Sequence, residues 1–93
     1  MHYVYLVQSK KDEFVYVGST SNVEKRLVKH NKGYVFSTKK HAPFTIVYYE
    51  AYLHRQDAIE REHKLKHHGS TIGHLKRRLK HSLRKDTSPK GRG

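Results

Sequence analysis

The chain has 93 residues, of which 34% are hydrophobic, enough to bury one modest core and no more. A formal charge of +12 and a pI near 10.1 suit a polyanionic partner, nucleic acid before an anionic membrane surface. No apolar run could span a bilayer, the start MHYVYLVQSKKD lacks the order of a secretion signal, and zero cysteines exclude a disulfide framework and any thiolate zinc site, so the expectation is a soluble cytoplasmic protein.

HYVYLVQ alternates as a strand, with Tyr3, Tyr5 and Val7 on one face and Val4 and Leu6 on the other. FVYVG is a second strand, and the short polar connection between the two predicts an antiparallel hairpin. With Ser9 to Asp12 as the turn, Tyr5 would lie opposite Tyr16 on a shared face, and a one-residue slip would separate them. Ser21 and Glu24 have capping-box spacing, which predicts a helix from Asn22 to about His30. The segment NKGYVFSTKKHAP reads as a loop with basic residues, among them Lys39 and Lys40.

FTIVYYEAY, residues 44–52, reads as a third strand, apolar enough to be central or covered on both faces. A second helix is expected from about Arg55 to His67, stopping at Gly69. TIGHLKRRLKHSL makes a third, with Ile72, Leu75, Leu79 and Leu83 on one face. From Lys64 onward there are ten Lys or Arg against one acid, so Lys64, Lys66, Arg77, Arg78 and Lys80 are candidate phosphate contacts. The tail from residue 84 to 93 has no apolar residue and is expected to be disordered. The organisation predicted is one α+β domain over residues 1–83, a small three-stranded antiparallel sheet flanked by helices, followed by that tail.

Two helices carry polar residues where a core face is normally apolar. At about 100° per residue the first places Val23, Leu27, Arg26 and His30 in one arc while Lys25 and Lys29 face solvent. The second puts Glu62 at the centre of an arc with Ala58, Ile59, Leu65 and Lys66. A carboxylate there is costly unless paired or bound to a metal, and the plainer reading is a salt bridge to Lys66 or to Arg26. Two tyrosines, an arginine, a histidine and a carboxylate able to converge on one side of the sheet form a candidate site with a base, a charge stabiliser and a metal ligand.

In their order and spacing, YVY at 3–5, YVG at 16–18, SNVEKRLVKHN and the acid of AIEREHKLK resemble the GIY-YIG nuclease superfamily, in particular its small stand-alone bacterial and phage members. KKHAPFTIVYYEAY and HLKRRLKHSL extend the resemblance to about residue 83. It implies the same three-stranded α+β fold and metal-dependent phosphodiester hydrolysis, as in homing endonucleases, certain restriction enzymes and the excinuclease subunit of excision repair. Carried onto this chain, it makes Tyr5, Tyr16, Arg26, His30 and Glu62 the catalytic set and Glu62 the ligand of one Mg²⁺ or Mn²⁺. Two positions depart from the pattern: Tyr3 replaces the first glycine of the family's name, and His63 stands where many relatives carry tyrosine.

A phenol with a pKa near 10 is a poor base unless a nearby cation lowers that value, which Arg26 could do while also donating a forked pair of hydrogen bonds to phosphate. Either tyrosine could then orient or activate water, with Arg26 and His30 handling charge and proton near the scissile phosphate. The expected partner is nucleic acid, DNA in preference to RNA, with structure-selective or weakly selective binding. The main rival is a non-catalytic nucleic-acid-binding module with the same fold. A histidine metal site at His63 and His67 is a lesser rival, and membrane binding is disfavoured because the third helix needs its apolar face to cover the sheet.

Overall fold

β1 (His2–Ser9) is the middle strand, pairing antiparallel with β2 (Val15–Thr20) on one side and β3 (Phe44–Tyr52) on the other. The computed structural model describes residues 1–84, so the predicted disordered tail lies outside the described residues from residue 85 onward. The expectation that β3 is central is corrected: it is an edge strand, half-exposed along most of its length. Its tyrosines supply aromatic surface with polar tips, which tolerates an edge as well as a core.

The strict alternation of β1 divides the molecule into two layers. Val4 and Leu6 point to one face and pack with Val17, with Ala58 and Leu65 of α2 (Arg55–His67), and with Leu75 and Leu79 from α3 (Gly69–Arg78) and the turn after it. Tyr5 and Val7 point to the other face, where Phe44, Tyr16 and Ile46 meet Val23 and Leu27 of α1 (Val23–Asn31). One α2/α3 layer and one α1 layer therefore sandwich the sheet, the two-sided burial that makes β1 apolar throughout.

The hairpin register differs from the expected one by two residues: Tyr5 faces Gly18 and Tyr16 faces Val7. Ser9 Oγ accepts from the amides of Lys11 and Asp12, and Asp12 Oδ1 accepts from the amide of Phe14, so side-chain turns lengthen the loop. A shift of two preserves the face, and both tyrosines stay on the α1 side. Gly18 is required there, because a Cβ on it would stand 2.6 Å from Cζ of Tyr5 and also meet its hydroxyl.

The α1 cap is Asn22, whose side chain accepts from the Lys25 amide at 3.0 Å, instead of the expected Ser21–Glu24 box. At its other end Gly33, at φ +76°, donates to His30 O while Tyr34 donates to Lys29 O, a Schellman termination that turns the chain outward. α2 spans the predicted residues, but Gly69 opens α3 instead of closing α2, and α3 ends at Arg78. Leu79 and Leu83 keep the apolar stripe in the turns beyond it. Arg84, assigned to the tail, is anchored: its backbone N–H and C=O pair with the side-chain amide of buried Gln8, each at 2.7 Å.

Candidate active site

His30 lies in the last turn of α1, on the arc the sequence assigns to the core, and is fully buried. Rings of Tyr5, Tyr16 and Phe44 surround it at centroid distances of 5.8, 5.2 and 5.6 Å. Its Nε2 lies 2.9 Å from the Tyr5 hydroxyl and its Nδ1 lies 2.8 Å from Oγ1 of Thr38, in the loop after α1. Thr38 in turn donates to Val35 O. A hydroxyl has one proton, so Thr38 must accept from Nδ1–H, which leaves Nε2 unprotonated to accept from Tyr5. A single chain of donors runs from Tyr5 through His30 and Thr38 to the backbone.

Electrostatics agree with that assignment. Burial and the nearby Arg26 guanidinium push the His30 imidazolium down to about 4, so the ring is neutral at neutral pH. Burial pushes the Tyr5 phenol up to about 12; Arg26 opposes this as charge and as hydrogen-bond donor, while Tyr16 and Glu62 add to it. Tyr5 therefore keeps its proton, which points inward. His30 is fully buried, so its ring nitrogens meet Tyr5 and Thr38 and not solvent.

Glu62 reaches the same neighbourhood from the other layer. Ser19 of β2 and α2 both lie on the α2/α3 side, so the five residues converge around the β2 edge and not, as the sequence suggested, on one side of the sheet. Ser19 Oγ donates to Oε1 of Glu62 at 2.8 Å and Lys66 Nζ pairs with Oε2 at 2.9 Å. Burial raises the Glu62 carboxyl, but Lys66, Ser19 and the charge of Arg26 outweigh it and hold the group below its ordinary range. Lys66 also stands 5.0 Å from the Tyr16 ring centroid, bridging the two. The salt bridge to Lys66 foreseen as the plainer reading is thus present, and Lys66 is engaged inside the site as well as exposed.

A carboxylate offers about four acceptor positions, and among the described residues Glu62 uses two. One ionised oxygen donor with spare lone pairs suits Mg²⁺ or Mn²⁺, which retain water and take phosphate oxygens. The donor set therefore fits the implied metal. His63 and His67 lie with ring centroids 4.4 Å apart, yet among the described residues no three His, Cys, Asp or Glu side chains are grouped to hold a metal.

The remaining basic residues divide between the layers. Lys39 and Lys40 form the 3-10 turn Lys39–His41 immediately after Thr38 and are exposed on the α1 side. Lys64, Arg77, Arg78 and Lys80 are exposed on α2, α3 and the turn beyond, with Arg77 2.7 Å from Nδ1 of His74. Sequence reasoning missed Thr38 and Ser19, short hydroxyl residues in a loop and on an edge strand, where no periodicity marks them.

The GIY-YIG catalytic domain family matches residues 1–76. The chain belongs to the GIY-YIG family. Relatives include UPF0213 proteins of Staphylococcus haemolyticus, 41% identical over 70% of this chain and 79% of the relative, and of Haloquadratum walsbyi, 39% identical over 70% and 73%. A UPF0213 protein of Clostridium perfringens is 39% identical over 71% of each. No solved structure matches. The GIY-YIG assignment places the chain in a nuclease family, for which nucleic acid is the substrate class. No helix among the described residues is long and apolar enough to cross a membrane.

Proposed function

We propose that this GIY-YIG protein is a divalent-metal-dependent endonuclease that hydrolyses DNA, with selectivity for structure over sequence, in repair, recombination or another DNA-processing step. The observation that carries the reading is the buried Thr38–His30–Tyr5 chain, which fixes the Tyr5 proton inward beside Arg26 and leaves the phenol oxygen free to accept from the guanidinium. With one N–H of Arg26 so engaged, its other donors remain for a phosphate.

Hydrolysis joins a water oxygen to phosphorus and releases the sugar oxygen. Tyr5, protonated and committed to His30, is unsuited to accept a proton, so Tyr16 is the phenol assigned to orienting the water. Arg26 balances the charge that builds on the phosphoryl oxygens. A bound Mg²⁺ or Mn²⁺ would supply Lewis-acid stabilisation of the leaving oxygen, and Glu62 is the residue to hold it, braced by Ser19. The test is cleavage of labelled single-stranded, duplex, flapped and branched DNA with metal or chelator. Arg26→Ala and Glu62→Ala should each lose at least about a hundredfold in rate while remaining able to bind.

The Lys66–Glu62 ion pair favours the second reading, a binding module in which Glu62 is merely satisfied. That reading takes over if the native chain binds every substrate, cuts none, and both variants behave like it.

A further inference from the structure

Tyr34 and Phe36 are left 72% and 84% exposed by a chain that has few large apolar side chains to spare. Each ring forfeits the burial of an aromatic side chain, so two of them within three residues call for a partner. Both stand on the loop that leaves α1 at Gly33, and the intervening Val35 is half-buried, so the loop turns the two rings outward together. Val35 O accepts from Thr38 and Thr38 accepts from His30, which ties the platform to the buried chain behind Tyr5. Phe36 lies at most about 7 Å along the backbone from Thr38.

The charge around the rings is one-sided. Between residues 25 and 41 there are six Lys or Arg and no acid, and Lys39 Nζ stands 5.4 Å from the Phe36 ring centroid. Rings flanked by cations on a fixed loop match the way unpaired bases are held: the π-faces stack, and the lysines follow the backbone. A stacked duplex offers no such faces. A protein partner would need acidic side chains to answer this charge as well as an apolar pocket, whereas single-stranded DNA brings both the charge and the flat apolar surface.

We infer that Tyr34 and Phe36 form a base-stacking platform that seats an unpaired stretch of DNA next to the Tyr5–Arg26 site. The inference rests on the proposed nuclease reading for its choice of DNA, and it makes the selectivity of that reading one for single-stranded or splayed segments.

The test is fluorescence-anisotropy titration, in chelator so that nothing is cut, of labelled oligothymidylate, a DNA duplex of equal length and oligouridylate. Tyr34→Ala and Phe36→Ala should each weaken oligothymidylate binding roughly tenfold with little change on duplex, and Tyr34→Phe and Phe36→Tyr should restore it. Stacking displaces no counterions, so the ring variants should keep the native salt slope, whereas Lys39→Ala and Lys40→Ala should each lower it by about 0.7 on the single strand. Both rings are exposed, so an unchanged melting temperature is expected and excludes unfolding as the cause. Native-like oligothymidylate binding by the double alanine variant, or an equal loss on duplex, would overturn the platform. Ring-dependent binding tighter on oligouridylate would overturn its assignment to DNA. Because binding is read apart from cleavage, a failed platform in a chain that still cuts is distinguishable from a working platform in a chain that does not.

Discussion

Glu50 and Glu62 are both half-buried carboxylates on the α2/α3 side of the molecule, and both are held below their ordinary range. Their surroundings differ in one respect. Glu50 accepts from Tyr48 and Tyr52, each at 2.6 Å, and from Nε and Nη2 of Arg61 at 3.0 and 2.9 Å, which fills its acceptor positions. Glu62 takes one donor per oxygen, and one of those is a lysine shared with Tyr16. The first is a closed polar knot that fastens β3 to α2. The second keeps lone pairs unused among the described residues and adjoins Arg26, Tyr16 and the Tyr5–His30 chain. Two acids of similar burial and charge thus differ in how many of their lone pairs the fold already uses, and the proposed function assigns a role in cleavage only to the one with lone pairs left over.

Removing the charge at each site should break this comparison in opposite ways. The largest effect falls on the rate: Glu62→Gln is expected to lower metal-dependent cleavage by about two to three orders of magnitude, with less than about 1 kcal/mol lost in stability, as read by denaturant unfolding.

Next comes acid sensitivity. His30 is pushed down to about 4 in the folded chain from an ordinary 6.5, so the unfolded state binds the proton first as pH falls. Its contribution is therefore complete above pH 6.5 and is lost between there and pH 4, up to about 3 kcal/mol. The carboxyls of Glu50 and Glu62, lowered from 4.5, begin to give up theirs only as pH falls to about 4.5. Urea midpoints measured across this range should fall between pH 6.5 and 4 in the native chain and lose that slope in His30→Gln.

Glu50→Gln should cost about 2 kcal/mol, because Arg61 loses a charged partner inside a partly buried network, and should leave cleavage per folded molecule unchanged. The smallest effect sharpens the site itself. Thr38→Val strands the Nδ1–H of His30 and should cost about 1 to 2 kcal/mol and lower the cleavage rate, while Thr38→Ser, which keeps the hydroxyl, should restore both. A structural role alone would make the valine variant unstable without changing the rate of the folded fraction.

Much of this is legible in the sequence. The alternation of β1 assigned its residues to two faces, and the inward arcs of α1 and α2 singled out Arg26, His30 and Glu62. Periodicity reads such faces because burial repeats with the element. It could not supply the hairpin register, which depends on side-chain turns at Ser9 and Asp12, nor the edge position of β3, where Tyr48 and Tyr52 hide their polar tips on Glu50. Nor could it find Thr38, placed by an irregular loop and not by a helix face. The difference between Glu50 and Glu62 was equally hidden, since Tyr48, Tyr52 and Arg61 gather around Glu50 only when β3 packs against α2.

The most direct measurement compares Glu62→Gln and Glu50→Gln side by side, by cleavage of labelled single-stranded DNA in Mg²⁺ at a temperature where both remain folded. We predict that the Glu62 variant binds the strand and does not cut, whereas the Glu50 variant melts earlier and cuts at the native rate. Equal cleavage by the native chain and the Glu62 variant, or equal loss in both variants, would contradict the assignment of Glu62 as the functional acid.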